Sequence, residues 1–238
     1  MSSEPKSVEN AENISRFSKK LLARKIVAIL IFVWIYYFIV IWLLAPGLYQ
    51  DMYSLFTLIL YCSVASIDIL IRPLPEKTKM DKFQSILTLF SFLAPFFMVW
   101  AYHENRSLVS TYISSWNSPV VAIIGIVILI IGSIIMVGAR ATVGKFGTPV
   151  LTTGKGHALY TKGLYKHVRH PMYTGGFLMF IAPFFVLRSI ITLVVMLIIE
   201  IFLLKKRMDM EESMLKESFG EEYTSYMKRT KRLFPLIY

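Results

Sequence analysis

The sequence predicts an all-α integral membrane protein, a multi-span helical bundle of four spans plus a C-terminal helical hairpin. Three observations predict it. First, 55% of the 238 residues are hydrophobic, above the roughly 45–50% of an average chain. Second, these residues are gathered into five long apolar blocks. Third, the lysines and arginines that bring the net charge to +11 cluster between the blocks, as they do where a cytoplasmic face meets anionic lipid. A nucleic-acid role is not expected, because no binding module accompanies the charge. The single cysteine, Cys62, lies inside an apolar block. That excludes an intrachain disulfide framework and a paired-cysteine metal site, and leaves packing as its role.

Residues 1–23 are polar and mixed in charge, and read as a tail running into a short amphipathic lead-in. The first apolar block starts too late, and is too long, for a cleavable signal sequence. Four blocks of about 19 or 20 residues follow, at 26–44, 52–71, 83–102 and 119–138. At about 1.5 Å per residue, each can cross a hydrocarbon layer about 30 Å thick. Ala45-Pro46-Gly47 stops the first, and Arg72-Pro73-Leu74-Pro75 stops the second. The fifth block, 175–204, is about 30 residues long and holds Pro183 and then Arg188-Ser189 near its middle. It is too long for one untilted crossing and reads as two shorter helices turning near 187–189. The chain thus divides into the tail, a four-helix membrane region at 24–138, and a region at 139–238 made of a polar loop, the hairpin and a last helix.

Loop charges set the orientation. Lys19, Lys20, Arg24 and Lys25 precede the first block, and the loop at 45–51 has no Lys or Arg. Arg72, Lys77, Lys79 and Lys82 follow the second block, only Arg106 lies between the third and fourth, and Arg140, Lys145 and Lys155 come after the fourth. This alternation predicts that both termini and the loop at 139–172 are cytoplasmic, with Trp100, Tyr102, Tyr112 and Trp116 in the opposite interfacial belt. Two acids lie near or within spans. Asp68 sits four residues before Arg72, a spacing that predicts a local pair at a helix end. Glu200 is deeper, and an intramembrane carboxylate is a functional candidate. Its position about a turn and a half from the cytoplasmic end of the block nevertheless favours interfacial placement.

The chemically varied residues fall in two polar runs. The first, 157–173, carries His157, His167 and His170, three of the four histidines. Five cations lie in or near it: Lys155, Lys162, Lys166, Arg169 and Arg188. The second spans 205–226. No GxGxxG follows a strand pattern, since Gly154-Lys155-Gly156 lacks the third glycine, and P-loop, HExxH and GxSxG motifs are absent. His167 and His170 are three apart, but Pro171 and the lack of carboxylate partners argue against a metal site.

The matching positions are Tyr165, then Arg169-His170-Pro171-x-Tyr173 with Gly175, then Arg207-x-x-x-Glu211-Glu212-x-x-Leu215. Phe219-Gly220-x-x-Tyr223-x-x-Tyr226 and Pro235 complete the set. Together they resemble the isoprenylcysteine carboxyl methyltransferase family and its phospholipid-methyltransferase relatives. The resemblance covers 140–238; the earlier helices match only as generic spans. It implies a membrane enzyme with a cytoplasmic pocket for S-adenosylmethionine and no Rossmann domain. Carried over by position, His157, Ala158, Leu159, Tyr160, Tyr165, His170, Pro171, Met172, Tyr173 and Glu211 would line the cofactor pocket, and Arg207 would be the catalytic residue facing the acceptor. Ala158 and Tyr160 depart from the family pattern, so contacts there would run through backbone.

Elementary chemistry agrees with this assignment. The cofactor's carboxylate needs donors such as His170 or free N–H groups at a helix started by Pro171. Its ammonium or ribose needs an acceptor such as Glu211, and Tyr165 and Tyr173 can hold the base or face the sulfonium. Arg207 and Glu211 are four apart, hence on one helical face. A C-terminal carboxylate, with pKa about 3.5, is already ionised at neutral pH and needs no base. That favours the α-carboxylate of a prenylated cysteine, entering from the bilayer, over a phospholipid amine or a small thiol. A membrane enone or sterol reductase using NADPH, and a small transporter or scaffold, are the readings from other classes.

Overall fold

Helices account for nearly all of the described residues, as uninterrupted apolar runs require where backbone groups must be satisfied within their own segment. The structure is a computed structural model and describes residues 20–71, 82–143 and 159–235. Four helices are long and apolar enough to cross a membrane: α1 (Lys20–Leu44), α2 (Met52–Ile71), α3 (Lys82–Glu104, running on through a π turn at Asn105–Val109) and α4 (Pro119–Val143). The expected hairpin follows as α5 (Pro171–Val186) and α6 (Ile190–Arg229), turning at 187–189. The protein is an integral membrane protein.

The predicted helix ends are close, with two extensions. α1 begins at Lys20 and contains a π-helical stretch, Ile29–Ile35. α4 continues past the predicted end to Val143, carrying Arg140 as a buried residue of its last turns. Consecutive helices run in opposite directions, so one end of the bundle gathers the starts of α1, α3 and α5. Lys25 Nζ reaches the Leu70 carbonyl at that end, and His103 meets the Leu44 carbonyl at the other.

α4 and α5 are the closest helix pair, and glycine makes this possible. A Cβ on Gly175 would stand 2.5 Å from the Met136 backbone nitrogen and 2.7 Å from the Gly132 carbonyl oxygen. One on Gly125 would meet Val186 in the same way. Small residues at such crossings let helix backbones touch inside a membrane. Gly176, by contrast, faces open space.

At the end away from the polar runs, Glu104 of α3 caps α6. Its carboxylate accepts from the Ile191 and Thr192 backbone N–H groups at 2.8 Å each, and from the Ser189 and Thr192 hydroxyls. Asp68 forms a buried ion pair with Arg140 of α4, 2.8 Å apart, 72 residues along the chain, a contact the sequence did not suggest; its expected partner Arg72 lies outside the described residues. Glu200 is 9% exposed and belongs to the buried face of α6.

Candidate active site

The site forms where the apolar hairpin gives way to the polar second half of α6. Val168 and Lys231 pair as a short parallel bridge, and the Arg169 and His170 N–H groups donate to the Lys231 and Arg232 carbonyls. This clamps the 163–170 segment to the tail that follows α6. Gly220, with φ +50° and ψ −120°, breaks α6 so that the tail can return; a positive φ is a backbone state that glycine adopts freely.

His170 caps α5 and Pro171 occupies its first turn, as expected. Tyr173 and Thr174 donate their N–H groups to the His170 carbonyl, so this helix start keeps fewer free donors than the sequence suggested. Pro171 is fully buried and serves to start the helix.

Tyr173 joins the two predicted residues of α6. Its hydroxyl donates to Glu211 Oε2 at 2.7 Å and accepts from Arg207 Nε at 3.3 Å. Arg207 is 2% exposed, while the Glu211 side chain keeps 24% of its surface. Tyr165 packs with Ala139 and Val143 of α4, and with Tyr160, Leu164 and Met172. Among the described residues its buried hydroxyl has no hydrogen-bond partner. Leu159 and Tyr160 are half-buried at the edge of this cluster. His157 and Ala158 lie outside the described residues. The structure therefore brings Tyr165, His170, Tyr173, Arg207 and Glu211 to one end of the bundle.

A second carboxylate organises the other side. Glu212 accepts from Arg169 Nε at 2.9 Å and from Arg232 at 3.1 Å, and its Oε1 lies 3.1 Å from His170 Nε2. Burial alone would raise its pKa, but the His170, Arg169 and Arg232 contacts outweigh that and hold it at about 2. His170 Nδ1 sits 3.8 Å from Glu211, so the ring spans both carboxylates. Arg169 also donates to the Met227 and Thr230 carbonyls. An open cleft of ≈ 450 Å³ lies beside this network, lined by Arg169, Glu212, Met227, Thr230, Lys231 and Arg232. Sequence reasoning assigned no role to Glu212 or Arg232. The adjacent Glu211-Glu212 pair was a usable signal, since successive helical residues point about 100° apart and so serve different partners.

An S-adenosyl donor fits these residues. The unpartnered Tyr165 hydroxyl and the second oxygen of Glu211, which holds no partner among the described residues, are the unused donor and acceptor that such a group needs. Among the described residues no His, Cys, Asp and Glu cluster could hold a metal.

Residues 120–222 match the model of the phospholipid methyltransferase family. A probable protein-S-isoprenylcysteine O-methyltransferase of Oryza sativa subsp. indica is 30% identical over 119 residues, 49% of this chain and 62% of that protein. The protein-S-isoprenylcysteine O-methyltransferase of Mus musculus is 32% identical over 115 residues, 48% of this chain and 41% of that protein. The match thus spans less than two thirds of either relative. Among solved structures, the eukaryotic intramembrane Ras methyltransferase, an isoprenylcysteine carboxyl methyltransferase, shares the fold with a TM-score of 0.56 at 21% identity, over 91% of this chain and 74% of that one. The matched stretch runs from α4 into the second half of α6, and over it the chain is similar to the phospholipid methyltransferase family and to protein-S-isoprenylcysteine O-methyltransferases.

Proposed function

We propose that the protein is an S-adenosylmethionine-dependent methyltransferase that O-methylates the α-carboxylate of a prenylated cysteine or a similar lipophilic acceptor. The observation that carries this reading is the Arg207–Tyr173–Glu211 relay, which links a buried guanidinium to a partly exposed carboxylate through one phenol. When bound, S-adenosylmethionine supplies an electrophilic methyl carbon on a sulfonium. Glu211 and the Tyr165 hydroxyl would hold its polar groups, with Leu159, Tyr160 and Met172 beside them and His157 and Ala158 contributing backbone. His170 and Pro171 would act by fixing the start of α5, and Tyr173 by fixing Arg207.

Arg207 would grip the acceptor carboxylate. A guanidinium can bind both carboxylate oxygens at once, which fixes the direction of the attacking lone pair. The acceptor arrives ionised, so no side chain must remove a proton. What the chain then supplies is alignment and exclusion of water, and burial of Arg207 serves both. The charge pattern of the loops supports cytoplasmic termini and a cytoplasmic site, with the acceptor's chain entering from the bilayer.

Titration calorimetry of the detergent-purified protein tests the reading, using S-adenosylhomocysteine beside NADPH. Micromolar binding of the first and none of the second is expected, followed by methyl transfer to N-acetyl-S-farnesylcysteine. Binding of NADPH alone would replace the methyltransferase with a reductase. Glu211→Gln should weaken S-adenosylhomocysteine binding about tenfold, while Arg207→Ala should spare it and lower turnover or raise KM for the acceptor. The reverse pattern would exchange the two roles.

A further inference from the structure

Glu200 sits on the buried face of α6 with nothing to hold. Among the described residues, no hydrogen-bond donor or cation contacts its carboxylate. The other buried carboxylates are saturated: Asp68 by Arg140, Glu104 by Ser189, Thr192 and two backbone N–H groups, and Glu212 by three side chains. One turn to either side of Glu200 lie Met196, Leu203 and Leu204, all buried and apolar. The titratable neighbour facing it is Tyr61 of α2, which lies within its electrostatic reach and keeps part of its surface accessible.

Neither protonation state suits this place. The carboxylate lacks a donor, and the neutral acid lacks an acceptor for its own proton. An ionisable group kept inside a span without a protein partner marks the path of a ligand. Its register says which ligand. Glu200 and Arg207 are seven residues apart, so they share a face of α6 about 10 Å from each other.

We infer that Glu200 is the specificity contact for the acceptor's chain: it accepts a hydrogen bond from an O–H or N–H group that the chain carries about 10 Å inward of the group held by Arg207. This rests on the acceptor-side reading of Arg207 given above. A plain hydrocarbon chain strands Glu200 against methylenes; a chain with a hydroxyl or amide partway along satisfies it. The preferred acceptor is therefore a lipid amphiphile with a carboxylate and a second polar point along its chain; a plain alkyl or isoprenoid cysteine is still a substrate but leaves Glu200 unpaired and binds less tightly.

The test uses N-acetyl-S-dodecylcysteine and a series of analogues bearing one hydroxyl at successive chain positions. Binding is read from the melting temperature of the full chain in detergent with S-adenosylhomocysteine present, and transfer from labelled S-adenosylmethionine. One hydroxyl position should bind about tenfold more tightly than the plain probe. Glu200→Leu should abolish that preference, and Glu200→Gln should keep part of it. All three proteins should bind S-adenosylhomocysteine equally. Glu200→Leu should also melt higher without ligand, since it replaces a carboxyl group set among apolar side chains; if Glu200 served only the fold, the variant would melt lower. Equal binding of the whole series by the wild type overturns the inference, as does a preference that survives Glu200→Leu. A hydroxyl preference that needs Glu200, with no probe methylated, keeps the inference and removes the carboxylate-acceptor reading. No saturable binding of any probe removes both.

Discussion

Glu212→Gln tests how the site is held together. The wild-type carboxylate meets Arg169, Arg232 and His170 and has its pKa held at about 2, against an ordinary value of 4.5. A depression of that size corresponds to about 3 kcal/mol of stability at neutral pH. The sign follows from the direction. A lowered pKa stabilises the fold fully above the unfolded value near 4.5, and the benefit is lost as pH falls through that value towards about 2. The substitution removes the charge but keeps the shape, leaving two half-buried guanidinium groups short of a partner. Arg169 retains the Met227 and Thr230 carbonyls and Arg232 retains Asp209, which moderates the loss to about 2–3 kcal/mol. For a chain of this size that is roughly a 5–10 °C lower melting temperature. Thermal unfolding in mild detergent, from neutral pH to pH about 3, is the assay. The wild type should lose its advantage over the variant progressively below about pH 4.5, with roughly half or more of it gone by about pH 3. A variant that melts with the wild type at neutral pH, or that keeps the same difference in acid, would refute the reasoning.

Three further outcomes follow from single contacts. Gly175→Ala should cost about 1–3 kcal/mol, because the new Cβ meets backbone atoms of α4 that cannot swing aside; Gly176→Ala, one residue on and facing open space, should leave the melting temperature level or slightly higher. Equal effects would deny the close α4–α5 crossing. Tyr165→Phe should leave stability unchanged, since the buried hydroxyl bonds nothing, yet weaken S-adenosylhomocysteine binding severalfold to tenfold; unchanged affinity by calorimetry would take Tyr165 out of the pocket. Gly220→Ala should destabilise by about 1–2 kcal/mol through its positive φ alone, because no atom lies within 4 Å of the added methyl; an asparagine there, which tolerates positive φ better, should cost less.

What the sequence disclosed was what is local. The spans and the turn at 187–189 were legible because an apolar run and its breakers declare themselves within one segment. Arg207 and Glu211 were legible as a face because four residues make a helical turn. The partners of Asp68, Glu104 and Glu212 were not. Each reaches across the bundle, to Arg140, to the start of α6, and to Arg232, and the spacing of residues along one helix says nothing about the helix beside it. For Asp68 the sequence offered only the local spacing to Arg72, while its contact with Arg140 runs across the bundle. Arg232 had no signal at all, since its contact depends on the break at Gly220.

The pattern of saturation separates holding from binding. Glu104, Asp68 and Glu212 have their oxygens engaged by helix ends or cations, and each ties together segments distant in sequence. Glu211, Glu200 and the Tyr165 hydroxyl keep unused hydrogen-bonding capacity while buried or half-buried. Unused capacity is costly in an apolar bundle. Thr57, Trp116 and Tyr223 carry such atoms elsewhere among the described residues, but Glu200 and Glu211 share one face of α6 with Arg207. Arg207 lies between these groups, a turn from Glu211 and two turns from Glu200, the position that its proposed grip on the acceptor carboxylate requires.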